Sequence, residues 1–206
     1  MIDPVPVLVF ARTPRPGAVK RRLIPALGSR GAARLYEGML RATVRTAVDA
    51  GVGPVELWAT PTTEHPVFEA LGAQAGVSLH VQRGPDLGAR MQGALERALR
   101  HAAGVILIGS DCPSLAADDL REAARRLRGR DDVVLGPALD GGYYLIALAQ
   151  PMPALFHDVS WGSEEVLAVT RGRLQAAGSR WSELAPRRDV DRPSDLEARS
   201  GQGTGG

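Results

Sequence analysis

The spacing of apolar residues along the chain changes period repeatedly. Val5 to Phe10 is a short unbroken apolar run, the pattern of a strand covered on both faces. Pro14, Pro16 and Gly17 then predict a loop, and from Gly31 to Ala50 the apolar positions Leu35, Met39 or Leu40, Val44 and Val48 recur at helical spacing. The alternation continues: strand over Val55 to Ala59, helix over Pro66 to Ala75, strand over Ser78 to Val81, and helix over Leu87 to Ala103. Gly104 to Ile108 is the most hydrophobic strand. A helix over Ala116 to Leu127 carries Asp118 and Asp119 in its first turn, where the dipole favours acids. Val133 to Leu135 and Tyr143 to Leu148 read as further strands. Beyond Leu148 the rhythm weakens: Gln150 to Pro153 is a breaker, Ser163 is placed to cap a helix over Glu164 to Ala177, and Arg180 to Leu184 reads as a last strand. Strands alternating with helices predict a three-layer α/β fold around a mainly parallel mixed sheet. Residues 1–199 read as one domain and Ser200 to Gly206, all small or polar, as a disordered tail.

Composition narrows the chemistry more than the fold. A chain of 206 residues, 44% hydrophobic and 23% charged, is long enough for a sizeable core. Its apolar runs are too short for a membrane helix, so the expectation is a cytoplasmic protein without a transmembrane segment. Cys112 is the single cysteine and the four histidines are scattered, which argues against disulfides and thiolate or imidazole metal sites. Lys20 is the only lysine among 25 basic residues, so it marks a candidate position for a compact point charge. The arginines are interleaved with acids and aromatics make up 4%, a pattern that does not suit nucleic acid.

In open α/β sheets ligands bind at the carboxyl ends of the strands. The loop after the first strand runs from Ala11 to Leu23 and holds Arg12, Arg15, Lys20, Arg21 and Arg22, a cationic cradle suited to phosphates. It matches neither the P-loop nor the dinucleotide fingerprint. Ala11, Arg12, Lys20 and Arg22 are its candidate phosphate-binding residues. The segment after Val81, with Asp86, Leu87, Gly88 and Arg90, is placed to read the nucleoside or sugar; the alternative is that Asp86 simply balances Arg90 at a helix start. Asp111, leaving the most buried strand in Ile108-Gly109-Ser110-Asp111-Cys112-Pro113, is a candidate metal ligand, because Mg2+ prefers a carboxylate or two plus substrate phosphates. Asp191, in Asp189-Val190-Asp191, is the candidate second ligand, with a surface salt bridge to Arg187 or Arg192 as the alternative. Gly141, Gly142 and Tyr143 form a candidate acceptor or sugar pocket. Asp140, Glu164 and Glu165 are candidates for a catalytic base. Cys112, beside an acid, reads as a packed residue and not a nucleophile.

In this order the segments Phe10 to Leu23, Gly84 to Met91, Ile108 to Pro113, Gly136 to Tyr144 and Asp189 to Leu196 resemble a bacterial family of GT-A-type transferases, named arsenosugar biosynthesis glycosyltransferases or radical-SAM/selenodomain-associated transferases. The resemblance runs over nearly the whole chain. Three departures stand out: Arg21 replaces a threonine, Pro85 separates Gly84 from Asp86, and Trp161-Gly162-Ser163 stands where Trp-Ser-Thr is common. More distantly the family is similar to molybdenum-cofactor and 2-phospholactate guanylyltransferases. The resemblance implies a GT-A, Rossmann-like nucleotide-diphospho-sugar transferase fold, with Asp111 on Mg2+ or Mn2+ and the first loop on the phosphates. The leading expectation is a glycosyltransferase that moves a sugar from a nucleotide-sugar donor to a small-molecule acceptor. The alternative is a nucleotidyltransferase acting on a small phosphorylated acceptor.

Overall fold

A computed structural model describes residues 3–74, 76–191, 193 and 195. The predicted tail, Ala75 and Arg192 lie outside the described residues. The elements are β1 (Val7–Arg12), α1 (Ile24–Ala50), β2 (Val55–Thr60), α2 (Pro66–Gly72), β3 (Val77–Val81), α3 (Leu87–Leu99), β4 (Val105–Ile108), α4 (Ala117–Arg128), β5 (Val133–Pro137), β6 (Tyr143–Leu148), α5 (Val166–Ala176) and β7 (Trp181–Glu183). They build one seven-stranded sheet in the order β3-β2-β1-β4-β6-β5-β7. β6 runs antiparallel to both neighbours and the other pairs are parallel.

The unbroken apolar run of β1 follows from two covered faces. Val7, Val9 and Ala11 point into one core with Leu40 and Val44 of α1 and Leu120 of α4. Leu8 and Phe10 point into the other, with Met91 and Leu95 of α3 and Leu167 of α5. Successive side chains leave a strand on opposite faces, so a strand inside a three-layer sandwich has no polar side to show. A third, smaller cluster matters more for function: Val19 and Leu23 of the first loop and Val190 of the late segment all pack on Tyr36 and Met39 of α1.

Several boundaries depart from the sequence pattern, and those of α1, α3 and α5 bear most on the site. α1 starts at Ile24 and not Gly31, with a break at Gly28, whose φ of 67° and ψ of 163° lie outside helix geometry. Glycine is the residue that tolerates this, so a short turn joins the long helix. α3 stops at Leu99, four residues before the predicted end. α5 starts at Val166, with the Ser163 hydroxyl accepting from the Glu165 amide in a turn ahead of the helix and not as its cap.

Candidate active site

The carboxyl ends of β1 to β5 and the start of β6 open into one cavity of about 760 Å³. The first loop reaches its centre. Gly17, at φ 82°, turns the chain, and Lys20 follows in the left-handed region at φ 47°, ψ 45°. A lysine there costs roughly 1–2 kcal/mol over ordinary backbone. The neighbours Val19 and Leu23 hold it, buried against α1. Its ammonium lies 3.1 Å from Asp111 Oδ2 and 3.8 Å from Asp191 Oδ1, on a side chain only 3% exposed. The lone lysine of the chain is thus the counter-ion of the acid that ends β4.

The late segment is tied to that acid through the backbone, since the Val190 amide donates to the Asp111 carbonyl at 3.0 Å. With Val190 buried against α1, the flanking aspartates diverge. Asp191 turns to the loop cations, accepting from Arg22 at 2.5 Å. Asp189 turns inward beside Asp111 and Asp140, and burial, then the charge of Asp111, lifts its carboxyl to about 7. Asp111 Oδ1 and Asp189 Oδ1 are both buried without a hydrogen-bond partner among the described residues. Two buried acceptors left unpaired cost free energy unless a cation or donor joins them. Asp189 therefore fits the second metal position better than the predicted Asp191, which is engaged in an ion pair with Arg22 and faces Lys20. The sequence pattern pointed to Asp191, since alternation puts the two acids on opposite sides of the segment but the direction of each depends on which way Val190 packs.

The first loop and β4 are further joined by Tyr36 of α1. The Arg12 amide donates to its hydroxyl at 2.8 Å, and that hydroxyl lies 2.8 Å from Ser110 Oγ. Burial, then the charge of Asp111, raises the Tyr36 phenol to about 12, so it stays protonated. No motif pointed to Tyr36, whose place in the helix carries no sign of the strand ends that it joins.

On the β1 to β3 side, Asp86 caps α3, accepting from the Ala89 amide at 2.8 Å. It is not the partner of Arg90, whose Nε donates instead to the Gly84 carbonyl at 2.9 Å, with Nη1 3.5 Å from Thr60 Oγ1. Gly88 does not line the cavity: a Cβ there would stand 2.5 Å from the Phe156 carbonyl and from Trp161 Nε1, so it lets α3 pack against the Trp161 segment. Gln82, which sequence reading missed, spans three strand ends, its amide nitrogen donating to the Ala11 and Trp58 carbonyls at 3.1 and 2.9 Å.

On the opposite side, Asp140 lies on the wall and accepts from the Gly142 amide at 3.1 Å in a tight turn. Gly142 and Tyr143 line the cavity, and burial pushes the Tyr143 phenol well up. Gly141, at φ 89°, lies beneath: a Cβ there would meet the Glu164 carbonyl at 2.2 Å. Glu164 and Glu165 are exposed and are not among the wall residues. Of the three candidate bases, the fold brings only Asp140 to the cavity. Ala11, Arg12, Lys20, Arg22, Asp86, Leu87, Arg90, Asp111 and Asp191 all line it. Cys112 is buried at 3% exposure, and burial raises its thiol to about 11, so it is the packed residue expected.

The chain matches the family described as "Uncharacterized protein conserved in bacteria (DUF2064)" over residues 43–163. It is 32% identical to a 3-phospho-D-glycerate guanylyltransferase from Phenylobacterium zucineum, across 85% of this chain and 81% of that one. Among solved structures it is similar to a protein described as a nucleotide-diphospho-sugar transferase from Desulfovibrio desulfuricans G20. That match has 28% identity and a TM-score of 0.86, covering 97% of this chain and 88% of the other. A cytidylyltransferase from Leptospira borgpetersenii shares the fold at 15% identity and a TM-score of 0.61, over 95% of this chain and 84% of that one. The fold is that of the nucleotide-diphospho-sugar transferases. The named relative is a guanylyltransferase, so the arsenosugar glycosyltransferase naming does not carry over.

Proposed function

The chain belongs to the bacterial family DUF2064, and from that premise and the construction of its cavity we propose that it is a nucleotidyltransferase. It would transfer a nucleoside monophosphate from a nucleoside triphosphate to the phosphate of a small acceptor. The observation that carries this reading is the meeting of acids from two distant segments, Asp111 and the Asp189–Asp191 stretch: Lys20 faces Asp111 and Asp191, and Asp111 Oδ1 and Asp189 Oδ1 are buried without a hydrogen-bond partner among the described residues. Such a pair fits a divalent cation, Mg2+ or Mn2+, which completes its coordination with phosphate oxygens. Asp111 and Asp189 would hold the ion, with Asp191 beside them. When bound, it neutralises charge on the transferring phosphoryl group and on the leaving pyrophosphate.

The chain's own residues account for the rest. Arg12 and Arg21 line the cavity and have no ion-pair partner among the described residues, so they are available to the triphosphate. In the transfer, an acceptor phosphate oxygen forms a bond to the α-phosphorus. The bond from that phosphorus to the α–β bridging oxygen breaks, and pyrophosphate departs with the electron pair. A phosphate monoester, with a second pKa of roughly 6, is already largely deprotonated at neutral pH. No general base is then required, in keeping with Glu164 and Glu165 lying off the cavity wall. Asp140 would orient the acceptor.

Between the two transferase classes, the 32% identical guanylyltransferase supports nucleotidyl transfer more than sugar transfer. Glycosyl transfer remains the second reading because of the likeness to the Desulfovibrio protein. The test is product identity. Protein with Mg2+, GTP and 3-phospho-D-glycerate, or another phosphate monoester, is expected to release pyrophosphate; release of nucleoside diphosphate from a nucleotide sugar, with no pyrophosphate from any triphosphate, would replace the reading by its rival. Nothing in the composition suits nucleic acid as partner, and no described helix is long and apolar enough to cross a membrane.

A further inference from the structure

The β1 to β3 end of the cavity carries hydrogen-bonding groups that the phosphate and metal chemistry leaves unused. Both amide hydrogens of Gln82 are directed at carbonyls, those of Ala11 and Trp58, on a residue only 9% exposed. This fixes the amide orientation, because its oxygen would be repelled by two carbonyls. Gln82 is a cavity-wall residue, and its Oε1 remains as a fixed acceptor. Arg90, also on the wall, spends Nε on the Gly84 carbonyl and one Nη1 hydrogen toward Thr60 Oγ1. The other Nη1 hydrogen and both on Nη2 remain, a planar fork held in place from behind. The two residues converge on one strand end: the Gln82 backbone N–H donates to the Ala59 carbonyl, and the Arg90 guanidinium approaches Thr60, the next residue. On the same wall, Leu87 is 42% exposed, one of few large apolar side chains left open to solvent among the described residues.

A planar heterocycle needs an apolar surface for its face and matched groups for its edge. Guanine alone among the common bases presents two adjacent acceptors, O6 and N7, that suit an arginine fork, and next to them N–H donors that suit a carbonyl oxygen. Adenine places a donor beside N7, and a glutamine reads adenine only with a free amide hydrogen, which Gln82 does not have. We infer that this end of the cavity is a guanine subsite, in which Arg90 donates to the O6/N7 edge, Gln82 Oε1 accepts from the neighbouring N–H, and Leu87 covers the face of the base. The inference deepens the reading of the cavity as a nucleotide site and rests on it.

The test is a comparison of bases. Calorimetric titration of the whole protein with GTP, ATP, CTP and UTP in Mg2+ is expected to show GTP bound about tenfold or more tightly than the others. Arg90→Met and Gln82→Met should pull the ratio of ATP to GTP dissociation constants toward one. General damage to the strand ends would weaken all four nucleotides together and leave that ratio unchanged. Should Gln82→Met fail to fold, Arg90→Met reads the same ratio. Equal affinities in the parent, a preference for another base, or a GTP preference retained in the folded variants would overturn the subsite. Pyrophosphate release is followed in parallel. A GTP preference with no pyrophosphate released with any phosphate monoester sinks nucleotidyl transfer and leaves the guanine subsite standing, whereas equal turnover of four triphosphates does the reverse. Absence of binding by every nucleotide overturns both.

Discussion

Lys20 and the acids around it show how much one residue's setting decides. A buried ammonium in left-handed backbone, facing Asp111 and Asp191, is a strained and desolvated arrangement that only the packing of Val19, Leu23 and Val190 maintains. On the proposal that Asp111 and Asp189 hold the ion, Asp111→Asn and Asp189→Asn should each abolish most Mg2+-dependent nucleotide binding, measured by calorimetry with and without the ion, while circular dichroism stays unchanged. Asp191→Ala should have a smaller effect, since this acid is committed to Arg22. A ranking with Asp191 ahead of Asp189 would return the second metal position to Asp191. Gly109 supplies a sterically independent check. A Cβ there meets nothing within 4 Å, yet the residue lines the cavity two positions before Asp111. Gly109→Ala should keep the melting temperature and lower nucleotide affinity, because the methyl group would occupy ligand space and not protein space.

Among the elements, α3 is placed by its first turn. Asp86 caps it, and Asp86→Ala should cost about 1 kcal/mol, a fall of about 2–4 °C in melting temperature for a chain of this size. Gly88 allows the helix to reach the Phe156 carbonyl and the Trp161 ring. Gly88→Ala forces a backbone carbonyl and a packed indole to move, which should cost about 1–3 kcal/mol in denaturant melts and displace Trp161 from the cavity wall, a change that its fluorescence reports. If Gly88→Ala is as stable as the parent with unchanged emission, the α3 contact is looser than described. The Trp161 segment has its own anchor in Arg173 of α5, which donates to the carbonyls of Ala154, His157 and Asp158. One wall of the cavity is thus built by two helices that touch through a loop.

In the whole molecule, the sheet buries its central strands between two cores, and the third cluster fastens both the first loop and the late segment to α1. Stability and site assembly are therefore coupled at Val190. Val190→Ala removes two buried methyl groups and should cost about 2 kcal/mol, with a loss of metal-dependent binding that an equally destabilising change in the α3 core would not share. Cys112, at 3% exposure in the larger core, reports on the molecule as a unit. Its alkylation by iodoacetamide should be negligible in the native protein and complete in guanidinium chloride, with a midpoint matching the loss of helical signal. Ready alkylation under native conditions would show that the β4 end opens locally.

Much of this architecture was legible in the order of residues. Period-two and period-3.6 spacings are consequences of local geometry, so β1 to β7 and their intervening helices could be placed in order, most to within a few residues and α1 seven residues short at its start, and a both-faces-buried β1 already implied a parallel, three-layer fold. The strand-end rule then drew Arg12, Lys20, Arg90, Asp111 and Asp140 to one side of the sheet, where the cavity lies. What the chain order could not hold was direction. Whether Asp189 or Asp191 turns inward depends on Val190 packing against a helix some 150 residues earlier, and Tyr36 joins the site only because α1 crosses the ends of β1 and β4. Glu164 and Glu165 follow a motif yet face outward, since the close approach at Gly141 is made through the Glu164 backbone. Sequence spacing determines which residues can share a face, whereas long-range packing, which has no local signature, decides which of them meet.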